Sequence, residues 1–78
     1  MHFEGIGSVD ERRLVKLCKK LGLEVTEGTR HHLVHCIHNG QKTTIPRHGK
    51  LLKRETVRSI LRWIMQMGYS EEEIRKYL

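Results

Sequence analysis

From Arg30 to His38, and again from Gln41 to Pro46, the chain alternates polar with branched or apolar side chains, and Asn39-Gly40 joins the two runs. Asn-Gly is the strongest short-range hairpin signal, because both residues tolerate the positive φ that a type I′ turn requires. The fold must therefore be built around an antiparallel ribbon. A two-residue turn predicts a register in which His38 opposes Gln41, Cys36 opposes Thr43, Val34 opposes Ile45, His35 meets Thr44, and His31 meets His48. Side chains alternate between faces. One face then carries Val34, Cys36, Thr43 and Ile45 and should lie on helices, with His32 at its margin. The other carries His31, Leu33, His35, Lys42, Thr44, Pro46 and His48 and is too polar for a core.

Helical spacing flanks the ribbon. Leu14, Leu17, Cys18 and Leu21 recur at i, i+3, i+4 and i+7, behind a Ser8/Glu11 capping-box spacing and before a Gly22 stop. Leu23 to Thr26 predicts a short strand. Val57, Ile60, Leu61 and Ile64 predict the inner stripe of a second helix, with Trp63 and Met67 near its edges and Gly68 at its end. Ser70 and Glu73 repeat the capping box and open a last helix, from Glu71 to about Tyr77, held by Ile74 and Leu78. The expected order is α-β-β-β-α-α: an α+β fold with a three-stranded antiparallel sheet packed on helices in two layers. Residues 1–7 show no periodicity and predict a loose leader that adds little to the fold, before a single domain over 8–78.

The chain's 78 residues leave room for one domain. No apolar run is long enough to cross a bilayer, and Met1-His2-Phe3-Glu4-Gly5 lacks the character of an export signal, so a cytoplasmic location is expected. Cys18 and Cys36 have no metal-ligand spacing and are too few for a disulfide scaffold; they read as reduced core thiols. Fifteen Lys and Arg against nine Asp and Glu give a formal charge of +6. Such an excess suits a polyanion through counterion release, and it serves solubility equally well.

Five of the six histidines, His31, His32, His35, His38 and His48, fall between positions 31 and 48. A metal fits them poorly. On a strand, His31 and His35 stand roughly 13 Å apart at about 3.3 Å per residue, too far to share an ion at ~2 Å. Neither metal nor other cofactor is expected. Ser8, Ser59 and Ser70 are accounted for by capping or by a helix face, and neither cysteine has a neighbour that would activate it. General acid/base chemistry is left. An accessible imidazole can take the 2′-hydroxyl proton of RNA or protonate the leaving 5′-oxygen, while Arg30, Lys42, Arg47 and Lys50 hold the phosphate. DNA lacks that internal nucleophile, so a metal-free site of this kind favours RNA.

At these residues the chain resembles the HicA family of mRNA-cleaving toxins. The likeness lies in Gly28-Thr29-Arg30-His31, Asn39-Gly40, Thr44-Ile45-Pro46-Arg47-His48-Gly49-Lys50 and Thr56-Val57-Arg58-Ser59-Ile60-Leu61. It extends to Leu14-Val15-Lys16-Leu17, Leu21-Gly22-Leu23 and Gly68-Tyr69-Ser70-Glu71-Glu72, about residues 10 to 76 in all. The resemblance implies a double-stranded-RNA-binding-domain-like fold, ribosome-independent endoribonuclease (mRNA interferase) activity, and neutralisation by a HicB-type antitoxin that covers the active site. It also implies His31 as the catalytic histidine and His48 in a supporting role, and RNA contacts are expected from Thr29, Arg30, Lys42, Arg47 and Lys50. Two departures stand out. Leu33 and Val34 occupy positions where the family often has an aromatic residue, and Glu55-Thr56 replaces its Gly-Thr.

Two alternatives stay open from sequence: a non-catalytic RNA-binding module on the same scaffold, and a protein-interaction domain that docks an acidic partner.

Overall fold

Branched and apolar residues at every second position of the ribbon leave one sheet face to be covered, and the striped helices cover it. In the computed structural model, residues 3–47 and 51–78 are described. The elements are β1 (Val9–Asp10), α1 (Glu11–Lys20), β2 (Glu24–Glu27), β3 (His31–His35), β4 (Lys42–Pro46), β5 (Leu51–Leu52), α2 (Arg54–Gln66) and α3 (Glu71–Tyr77). Strands β2, β3 and β4 form an antiparallel sheet in that order. Val34, Cys36 and Ile45 project from it into a core completed by Leu14, Leu17 and Cys18 of α1, Val57, Leu61 and Ile64 of α2, and Ile74 of α3. This is the expected α+β architecture, in line with a double-stranded-RNA-binding-domain-like fold.

The hairpin register differs from expectation by two residues. His31 opposes Pro46, His32 opposes Ile45, Leu33 opposes Thr44, Val34 opposes Thr43 and His35 opposes Lys42. The ladder partner of His31 is therefore Pro46 rather than the expected His48, and His48 itself lies outside the described residues. The cause is a longer loop: the Cys36 amide donates to the Gln41 carbonyl at 2.8 Å, and the Gly40 amide to the Cys36 carbonyl at 2.9 Å. Gly40 takes a positive φ of 75° while Asn39 does not, so the type I′ turn never forms. Asn39 instead accepts the Gln41 amide on its side-chain oxygen at 3.0 Å. A slip of two residues leaves every side chain on its original face.

Three further corrections concern the start of α1, the first residues and His32. Asp10, not Ser8, caps α1, its Oδ1 accepting the Arg12 amide at 2.6 Å. Val9 and Asp10 are held extended by pairing with Leu52 and Leu51, so the helix starts too late for a Ser8/Glu11 box. Residues 3–7 are more than a leader: Phe3 is fully buried in the core, and its amide donates to Glu71 at 3.2 Å. Burying that ring is worth ~2 kcal/mol. His32 is also deeper than the margin, at 5% exposure. At α3 the Ser70/Glu73 capping box forms as expected.

Candidate functional site

The segment that delivers His31 is a tight turn held at both ends. A Cβ on Gly28 would lie 2.5 Å from the His31 carbonyl oxygen, so only glycine allows the backbone to close so sharply ahead of β3. Across the ladder, the Arg47 amide donates to the Arg30 carbonyl at 2.9 Å, and the Arg47 Nη1 donates to the Gly28 carbonyl at 2.8 Å. Arg47, expected as a phosphate ligand, thus also clamps the turn.

His31 emerges exposed at the start of β3. It opens onto a groove of about 460 Å³ between the outer edge of β4 and α2, walled by Thr44 and Pro46 on one side and by Glu55, Thr56 and Ser59 on the other. Pro46 suits that edge, where an amide would have no ladder partner. Glu55 and Thr56 belong to the first turn of α2, and the N-cap residue Lys53 makes no side-chain cap hydrogen bond. The positive end of the helix dipole therefore faces the groove, which favours an anion, while the Glu55 carboxylate opposes one.

The structure brings some expected site residues together and separates others. Thr29 and Arg30 immediately precede His31, and Arg47 stands beside Arg30, so three of the five expected RNA contacts share one end of the hairpin, all exposed. Lys42 begins β4 opposite His35, at the far end of the sheet, roughly 13 Å from Pro46 at 3.3 Å per residue. His48 and Lys50 lie outside the described residues.

Among the other histidines, His32 turns to the opposite face from His31. Its Nε2 lies 2.8 Å from Glu11 Oε2, with the two side chains 6% and 12% exposed. That pair ties β3 to the start of α1, and so fixes the strand from which the neighbouring His31 projects. His35 is half-buried, with Nδ1 3.7 Å from Glu24 Oε1. No cluster of three or more His, Cys, Asp or Glu among the described residues is arranged to hold a metal ion. None of the described helices is long and apolar enough to cross a membrane.

The α2 wall was missed by sequence reasoning. Its signal was present: Thr56 and Ser59 are small polar residues three apart, bordering the buried stripe of Val57 and Ile60. By contrast, the partnership of His32 with Glu11 joins residues 21 apart in the chain, and no periodicity links them.

The sequence profile of the family described as the HicA toxin of bacterial toxin–antitoxin systems matches residues 12–68. No curated protein and no solved structure matches the chain. The match spans the turn, the hairpin and α2, most of the 78-residue chain. The chain belongs to the HicA toxin family, whose members work against an antitoxin partner.

Proposed function

We infer that this chain is the toxin of its pair through endoribonuclease activity, with His31 as general acid/base. The observation that carries the reading is an exposed imidazole at the mouth of the β4–α2 groove, at the same hairpin end as the exposed residues Arg30, which precedes it in the chain, and Arg47, whose backbone amide bonds to Arg30. In the reaction, the ribose 2′-oxygen attacks the adjacent phosphorus, and the bond to the 5′-oxygen breaks. The 2′-hydroxyl gives up its proton, and the departing 5′-oxygen takes one. An exposed imidazole can perform either transfer at neutral pH. Arg30 and Arg47 offset the charge that builds on the non-bridging oxygens, Thr29 adds a hydroxyl donor, and Lys42 and Lys50 add positive charge that attracts the strand. Because the nucleophile is internal to RNA, the chemistry needs no metal-bound water. His48 acts in support of His31.

The protein partner in this reading is a HicB-type antitoxin that covers the groove, and the site of action is the cytoplasm, where mRNA is exposed. Incubation of the purified chain with RNA in EDTA tests the activity. Cleavage by wild type that disappears in a folded His31→Ala variant supports the reading. RNA binding without cleavage would leave a non-catalytic RNA-binding module, and a metal requirement would refute the mechanism.

A further inference from the structure

Past Ser59, the groove beside His31 runs on along α2. Its continuation is a second depression lined by Thr43, Ser59, Arg62, Trp63 and Gln66, sharing Thr43 and Ser59 with the first. From Thr56 to Gln66 this wall measures ~15 Å at 1.5 Å rise per residue, longer than a single nucleotide needs. Ser59, Trp63 and Gln66 follow one another at helical spacing, so they form one continuous stripe facing the edge of β4.

The chemistry of that stripe is selective. The chain has four aromatic residues, one Phe, one Trp and two Tyr. Phe3 is sealed in the core, Tyr69 packs against it half-buried, and Tyr77 already carries the ammonium groups of Lys20 and Lys76 at 5.9 and 5.6 Å from its ring. Trp63 is the aromatic left with one side on the core and another on the groove. Next to it, Arg62 is exposed, and among the described residues only its Nε is engaged, in a long 3.4 Å contact with the Arg58 carbonyl. A flat ring beside a free guanidinium and a side-chain amide is a set suited to a base, a phosphate and a base edge. An acidic peptide would use the arginine but not the ring.

We propose that this depression is a nucleotide subsite for single-stranded RNA: Trp63 stacks a base, Arg62 pairs with its phosphate, and Gln66 and Ser59 reach the base edge. It rests on the reading of the adjoining groove as the RNA cleavage site and deepens it, because it sets how the strand is held relative to His31. It supplies the stacking platform that Leu33 and Val34 do not.

Trp63 is the only tryptophan, so its fluorescence reports on the subsite without any substitution. The probe is a short 2′-O-methyl oligouridylate, which binds but cannot be cut, titrated into the wild-type chain, with polyglutamate as the charge control. Expected are saturable quenching by the oligonucleotide and little by polyglutamate. Arg62→Gln should lower the salt slope of binding by about 0.7, one phosphate contact fewer on a single strand. Trp63→Leu should weaken binding about tenfold, and Trp63→Phe less, with the fold checked by circular dichroism. An oligonucleotide that binds without moving the fluorescence overturns the subsite, as does equal quenching by polyglutamate. If RNA is cleaved through His31 while Trp63 stays silent, the subsite falls and the nuclease reading stands. If Trp63 is quenched but no RNA is cut, the subsite stands and the nuclease reading falls.

Discussion

The guanidinium of Arg47 donates to the carbonyl of Gly28 at 2.8 Å, closing from just beyond β4 the turn that presents His31. Charge and geometry can be separated at this position, because lysine keeps the former and loses the planar fork. Arg47→Lys should hold RNA affinity within about twofold while slowing cleavage about tenfold, the effect of ~1.4 kcal/mol lost from positioning. Single-turnover cleavage alongside equilibrium binding checks this. A variant that loses affinity and rate equally would make Arg47 a plain phosphate ligand.

Gly28 admits no side chain, since the atom its Cβ would strike is the His31 backbone oxygen. Gly28→Ala should cost roughly 2 kcal/mol of stability, within the range for a backbone forced to shift, and should lower cleavage further than that loss of folded protein explains. Denaturant titration and activity measured per folded molecule separate the two effects. Wild-type behaviour in both would mean the turn is slack.

Adjacent histidines should answer to substitution in opposite ways. His31→Gln removes an exposed imidazole and should cut cleavage by at least about a hundredfold while changing stability by less than ~0.5 kcal/mol. His32→Ala strips Glu11 of a buried partner at 2.8 Å and should cost roughly 2–4 kcal/mol, lowering Tm by more than about 10 °C. Thermal melts of the two variants decide it. A comparable fall in both would place the thirty-first side chain in the core.

Burial pushes the Cys18 thiol from its ordinary 9.0 up to about 12, and burial likewise raises the Tyr69 hydroxyl. An unfolded chain gives up the Cys18 proton near pH 9.0, whereas the folded chain keeps it to about 12. The stabilisation is therefore complete below the unfolded value and is lost as pH rises toward the folded one, at up to ~1.4 kcal/mol per pH unit. Urea midpoints should fall between about pH 8 and about pH 11, and Cys18→Val should flatten that decline. In the native state the thiol should also resist alkylation. A steep decline that Cys18→Val leaves unchanged would place its origin elsewhere.

Period was the legible part of this chain. The inner stripes of α1 and α2, the two faces of the ribbon and the Ser70/Glu73 cap all follow from spacing, because burial selects for it. Register was not legible, since Asn39 bonds locally to Gln41 and leaves Gly40 alone at positive φ, a choice that the Asn-Gly pair does not dictate. Strands of two residues such as β1 and β5 have no period to read. The His31 end of the site was visible because Thr29 and Arg30 adjoin it in sequence. The α2 wall was not, because it is joined to that end only by the way the helix lies beside the edge of β4.

Both ends of the described chain meet on α3 and α1. The Phe3 amide reaches Glu71, the Arg75 guanidinium reaches the Glu4 carbonyl at 2.8 Å, and the Arg13 guanidinium reaches the Leu78 carbonyl at 2.6 Å. These bonds stitch the first described residues to α3, and the last described residue to α1. Loosening this seam should therefore release Phe3 from the core and disturb α1 and α3 together.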